Sequence, residues 1–395
     1  MTSGICDAES ARQLNELCRR GRLYEVEAWI RQGKPVTVPP TERKSPLLIA
    51  VEKGFHSLVE LLLQNGAAPQ GKVLETAVKR GDSGIAQLLI DNGADPNSVR
   101  AELVCLCGDL NVVRLFLDRG VDLTRGNGFA IGLVETKKAL LGIYRSYRDK
   151  IPALQTQADI ALCYCCKEGH IGGVYRLLWA GANPRARIPE LYEAEDDPDM
   201  HGTALEAAVF NGHFDILKRI GVDPAHDDLN HLLHTSTFSA RPEIIRYLVE
   251  RGADINSRGG LDQTCLVQLF RTLHWCDDSH SFPGSFFDSS RALEAIRTAV
   301  ELGAKWERGD AQATHLVRLG FYAASEYSLR SMLETFRKYG ACPDAELIRL
   351  LDTPRMIRKL EKDLKPFVKM FPNWRRAQRR YAEIKEKEKW NRWPR

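Results

Sequence analysis

Short apolar runs return along this chain at nearly regular intervals, each closed by polar residues, a glycine and a turn. The fragments LLLQNGAAPQ (61–70), LLIDNGADPN (88–97), LFLDRGVDLT (115–124), LLWAGANPRA (177–186) and YLVERGADIN (247–256) share this form. Two glycine series run through the first third. Gly21, Gly54, Gly81 and Gly108 lie 33, 27 and 27 residues apart, and Gly33, Gly66, Gly93 and Gly120 repeat those spacings. Two glycines twelve apart in units of about 30 residues predict a solenoid of helix pairs. The first glycine of each unit closes a short helix, where a left-handed residue caps free carbonyls. Apolar residues spaced three and four apart then build one face of a second helix. The second glycine ends that helix.

The residues SPLLIAVEKGFHSLVELLLQNGAAP (45–69), LETAVKRGDSGIAQLLIDNGADPN (74–97), ALCYCCKEGHIGGVYRLLWAGANP (161–184), GTALEAAVFNGHFDILKRIGVDP (202–224) and PEIIRYLVERGADIN (242–256) resemble the ankyrin repeat family. Weaker units stand at 11–36, 101–123, 261–304 and 311–343, so the resemblance spans about residues 10–345. It implies an all-α ankyrin-repeat solenoid over 1–345, and the residues beyond it read as a basic helical C-terminal extension over 346–395. The departures are informative. The 27-residue spacing is shorter than the family's 33 and leaves little room for hairpin fingers. Only Ser45-Pro46-Leu47 and Thr203-Ala204-Leu205 echo the family's Thr-Pro-Leu-His start. Insertions are expected near 126–158, 187–201 and 274–290. The first holds either a degenerate repeat or an inserted amphipathic helix, the insert being preferred, and the last reads as a long loop.

Composition changes this picture little, but charge does. Of the 395 residues 44% are hydrophobic and 27% charged, ordinary for a folded chain. Residues 353–395 hold 15 Lys and Arg against 5 Asp and Glu, a balance of +10, and the remainder holds 41 against 47, a balance of −6. An acidic body carries a basic tail. No signal-type apolar start and no run of 18 apolar residues is present, so no transmembrane segment is expected. With ten cysteines this gives the expectation of reduced thiols in a cytoplasmic protein.

The candidate chemistry is sparse. CLC (105–107) and CYCC (163–166) suggest thiolate metal ligands, but register opposes it. Three residues before the first glycine of each unit stand Cys18, Val51, Val78, Cys105, Cys166 and Val209, which makes these cysteines small core residues. In HDDLNHLLH (226–234), Asp227, His231 and His234 have ligand spacing on a helix, yet they fall where a packed first helix belongs. The acidic run Glu193, Glu195, Asp196, Asp197, Asp199 is a solvated finger or a contact for a basic partner, its own tail included. No nucleophile motif or phosphate loop stands in a supporting context, so no catalytic residue, cofactor or metal is expected.

The resemblance therefore implies a non-enzymatic scaffold for protein–protein interaction, its partner seated on a concave face. Two residues precede each first glycine, generally charged: Arg19-Arg20, Glu52-Lys53, Lys79-Arg80, Lys167-Glu168. Leu106-Cys107 and Phe210-Asn211 break that habit, which makes Leu106 and Phe210 candidate contacts. Trp275, Phe282, Phe286 and Phe287 form a second candidate set in the 274–290 stretch. In the tail, Arg375, Arg376, Arg379 and Arg380 flank a stripe that includes Trp374, with Trp390 beyond. That pattern suits a partner's groove, an anionic membrane or a nucleic acid. Two rival functions follow: an adaptor docking on nucleic acid or an anionic surface through the tail, and an effector delivered into another cell.

Overall fold

The computed structural model describes residues 5–39, 42–70, 72–135, 139–188, 202–277, 289–306 and 326–341, with Arg379. Among the described residues the regular structure is helical, with isolated β-bridges at Ile5–Thr37 and Arg258–Thr264. The chain forms two compact units, Met1–Cys165 with Gly172–Leu191, and Cys166–Ile171 with Tyr192–Arg395.

The first unit is built from pairs. They are α1 (Ala8–Arg19) with α2 (Leu23–Arg31), α3 (Pro46–Lys53) with α4 (His56–Gln64), α5 (Val73–Arg80) with α6 (Ser83–Asp91), and α7 (Ala101–Leu106) with α8 (Leu110–Asp118). Within each pair the second helix folds back on the first. First helices pack side by side in the order α1, α3, α5, α7, and second helices in the order α2, α4, α6, α8.

Both glycine series do one job. Gly54 has φ +77°; its N–H donates to Val51 O at 3.0 Å, and the N–H of Phe55 donates to Ala50 O at 3.0 Å. Gly93 has φ +95° and ends α6 the same way, with Gly93 N to Ile90 O and Ala94 N to Leu89 O. These paired bonds are the Schellman closure, which satisfies helix-end carbonyls and needs the left-handed residue that glycine supplies without a Cβ clash. Helix starts are equally local. Ser45 caps α3 ahead of Pro46, and Asp82 caps α6 through Ile85 N.

The 61-residue interval between Gly120 and Gly181 holds α9 (Gly128–Glu135), α10 (Ala139–Tyr147), α11 (Ala153–Lys167) and α12 (Ile171–Ala180). Helix α9 packs on α7 as α7 does on α5, and α10 packs on α8. Of the two readings left open for this segment, the packing fits the degenerate repeat. Gln157 on α11 ties the next pair on: its Oε1 accepts from Ala130 N at 3.0 Å, and its amide donates to Asn127 Oδ1 at 3.2 Å.

The second unit repeats the scheme with α13 (Ala204–Phe210), α14 (Phe214–Ile220), α15 (Leu229–Ser239), α16 (Pro242–Glu250), α17 (Cys265–Asp277), α18 (Ser289–Glu301) and α19 (Glu326–Lys338). Helices α13, α15 and α17 line up as first helices, α16 and α18 pack as second helices, and α19 packs on α18. Thr203 and Glu206 close a full capping box on α13. The long loop expected at 274–290 is helical at both ends, over 274–277 and 289–290. The buried stripe Leu266, Leu269, Phe270 and Leu273 carries α17 through Trp275 to Asp277, and α18 begins at Ser289.

The residue three before each first glycine is core without exception: Cys18, Val51, Val78, Cys105, Cys166 and Val209 are each at most 2% exposed. Burial pushes the Cys18 and Cys105 thiols up to about 12 and that of Cys165 to about 11, so these side chains stay neutral. A thiol held neutral packs as a small apolar group and is a poor ligand or nucleophile.

Candidate functional site

In each unit the C-terminal ends of the first helices form a candidate surface, and side chains from successive pairs tie them together. The Arg80 guanidinium donates back to Glu52 O at 2.7 Å, and a Cβ on Gly54 would run into it. In the second unit His213 Nε2 lies 2.9 Å from Lys167 O, so that nitrogen carries the proton, and the ring fills the space beside Gly169. Ser239 Oγ donates to Val209 O at 2.9 Å. Each contact satisfies a helix-end carbonyl with a donor from a neighbouring pair, which ordinary helix propensity does not announce. None of these three roles was evident from sequence.

At these helix ends the position two before the first glycine carries the variation. Lys79 and Lys167 are exposed there, whereas Leu106 is 38% exposed at the end of the short helix α7. The neighbouring Cys107 is half-buried, its thiol raised by burial. Phe210 is half-buried and meets Phe238 of α15, ring centroids 5.2 Å apart and tilted 40°. Phe238 occupies the matching place on α15. Ala240 stands where a glycine is usual, in the left-handed conformation at φ +47°. The substitution hides the register, and Phe238 was missed for that reason. The pair makes an aromatic step across two adjacent first helices.

The other candidates separate. His234 is 7% exposed, its Nδ1 3.1 Å from Gln268 Oε1 and its Nε2 3.2 Å from Ser257 Oγ. Gly259 lies so close beneath the ring that any Cβ would clash. His231 is half-exposed, 3.7 Å from Glu206, and Asp227 accepts from Asp223 N at 2.7 Å. The three thus serve different structural jobs. Trp275 lies in α17, and Phe282, Phe286 and Phe287 lie outside the described residues. So do the acidic run at 193–199 and the tail residues Trp374, Arg375, Arg376, Arg380 and Trp390, while Arg379 is exposed.

Burial holds the pKa of His234 below the usual imidazole range, against smaller raising effects from its hydrogen bonds. The unfolded chain therefore takes up a proton that the folded chain refuses. His234 costs nothing above the unfolded imidazole pKa, and stability falls as pH drops through that value toward the folded one. Denaturation midpoints for wild type and His234→Gln from pH 8 to pH 5 should diverge below about pH 6.5, the wild type losing more. Parallel curves would remove His234 from the account.

The repeating glycine closures and stacked pairs match two family models: "Ankyrin repeats (3 copies)" over residues 14–100 and "Ankyrin repeat" over residues 228–257. This chain carries ankyrin repeats. No curated protein matches it. Among solved structures it is similar to the human ASB11 ankyrin repeat domain, at 18% identity and TM-score 0.23, over 71% of this chain and 96% of that one. It is also similar to the ankyrin repeat domain of Bcl-3, described as a unique member of the IkappaB protein family. The identity there is 18% and the TM-score 0.29, over 72% of this chain and 97% of that one. The family assignment rests on the repeat models together with the helix-pair register. Ankyrin repeats are generally protein–protein interaction modules and generally non-enzymatic. No helix among the described residues is long and apolar enough to cross a membrane.

Proposed function

We propose that this protein is a non-enzymatic binding module whose protein partner seats on the ends of the first helices, with the Phe210–Phe238 pair as its anchor. The observation that carries this reading is the replacement of charged residues at one register position by two half-buried phenylalanines in mutual contact. Clustered aromatic side chains at the centre of a contact supply most of its free energy, while polar neighbours exclude water. The His213 tie suits the same purpose, because within the second unit it holds adjacent helix ends in fixed spacing before a partner arrives.

The test has two stages. Affinity purification of the full chain from native lysate, with nuclease, identifies a protein partner by mass spectrometry. The dissociation constant is then measured for wild type, Phe210→Ala and Phe238→Ala. Each variant should weaken binding about 30-fold, the factor that about 2 kcal/mol gives at an interface anchor. Circular dichroism should stay helical and the melting temperature should move by only a few degrees. Unchanged affinity in both variants rejects this surface.

A further inference from the structure

A second surface stands apart from the helix ends, on the outward face of α12. In the glycine-capped second helices the residue two before the glycine is Arg31, Gln64, Asp91, Asp118, Glu250 or Glu301 in six of them, and six before it Glu27, Glu60, Gln87, Arg114, Arg246 or Arg297. These are side chains for water. In α12, closed by Gly181 at φ +101°, the same two positions hold Trp179 and Tyr175. Trp179 is 72% exposed and Tyr175 45%. Four residues apart on one helix, they share a face. Single exposed apolar residues are ordinary on a surface, but two large aromatics at positions otherwise written polar are not.

The charge around them selects the occupant. The Arg145 guanidinium lies 4.5 Å from the centroid of the Trp179 ring. Arg148 donates to Ala180 O at 3.1 Å, at the C-terminal end of α12, and Arg176 lies on the same helix beside Tyr175. Neither Arg145 nor Arg176 has a carboxylate partner among the described residues. The nearby acids are committed or few: Asp118 accepts from the Tyr147 hydroxyl at 2.7 Å, and Asp149 sits 3.7 Å from Arg148. Trp, Tyr and Arg are the residue types that dominate interface energetics, and an arginine over an indole gains most when a partner removes water from it.

We infer that the Tyr175–Trp179 face of α12, with Arg145 and Arg176, binds an acidic protein segment whose apolar side chains lie on the two rings and whose carboxylates meet the guanidiniums. This surface is independent of the Phe210–Phe238 anchor. A random peptide library displayed on phage is panned on the full chain, and recovered peptides are synthesised and measured. Sequences rich in Asp and Glu with interspersed apolar residues are expected, binding at least tenfold more weakly to Tyr175→Ala/Trp179→Ala and to Arg145→Glu/Arg176→Glu. Their affinity should fall with added salt and be unchanged in Phe210→Ala, which separates this site from the anchor. Tyr175, Trp179 and Arg145 are exposed and Arg176 is half-buried, and circular dichroism checks that the fold persists. Recovery of no acidic peptides, or equal binding to both double variants, overturns the inference. So does displacement of the peptides by a labelled oligonucleotide or by phosphatidylserine vesicles, which would assign the face to a nucleic acid or a membrane. A tenfold gain in peptide affinity on changing Glu193, Glu195, Asp196, Asp197 and Asp199 to their amides would make the chain's own acidic run the occupant, and would equally overturn an external partner.

Discussion

Replacing Phe270 with alanine is expected to destabilise the second unit by about 3–5 kcal/mol, the usual range for emptying a fully buried phenylalanine site. The ring is completely buried on α17 and lies 6.1 Å from Phe336 of α19, at 58°. It shares its cluster with Leu266, Leu269 and Leu273 of its own helix and with Ala295, Ile296 and Ala299 of α18. In a stack each pair buries its apolar face only against its neighbours, so the loss cannot be spread through a common core. The consequence should be regional. Helix α19 is held through Phe336 and through the Trp306 N to Ala341 O bond at 2.6 Å, and it should open first. Urea unfolding followed by circular dichroism would give the cost, and hydrogen exchange would locate it in residues 326–341. A loss below about 1 kcal/mol, the central value for point mutants in general, would show that this contact does not hold the end of the stack.

Gly128→Val should lower stability by about 3 kcal/mol, the upper end of ordinary overpacking. Glycine inside a helix normally costs about 1 kcal/mol against alanine, so adding a side chain usually helps. Position 128 reverses the sign because α9 approaches α7 on its glycine side. A Cβ on Gly128 would sit 2.6 Å from Glu102 N and 2.8 Å from Ala101 C, both backbone atoms that cannot swing aside. One turn on, a Cβ at Gly132 would sit 2.7 Å from that of Cys105. Gly142 on α10 is the control. It is exposed with nothing within 4 Å of its Cβ position, and Gly142→Ala should stabilise by about 1 kcal/mol. Melting curves of the two variants should therefore move in opposite directions. A shift of the same sign in both would mean that α9 is not seated against α7.

The two glycines per unit were legible in the sequence because a Schellman closure is local. It involves the six residues that end the helix, and only one of them must be left-handed. The same locality let Ser45 and Thr203 be read as repeat starts and placed Cys18, Cys105 and Cys166 in the core by counting back from a glycine. Where a local signal is missing, tertiary structure decided. Helices α9 and α10 lack the paired glycines, so 126–158 read as an insertion. Their place in the stack is set by close approach at Gly128 and Gly132 and by Gln157 reaching across from α11. Trp275 read as loop because the aspartates and serines after it dominate composition, while burial of Leu269 and Leu273 extends the helix through it. Phe238 was hidden behind Ala240, an L-residue held left-handed by its surroundings at a cost of roughly 1–2 kcal/mol. The sequence by itself determined the repeat, its period and the residues that face inward, since each depends on chain neighbours. Only the tertiary structure decided which surface side chains meet: Phe210 with Phe238, Arg145 with Trp179, Arg80 with Glu52 O at the end of α3. Those partners are 28 to 34 residues apart, beyond any local rule, and are brought together by stacking alone.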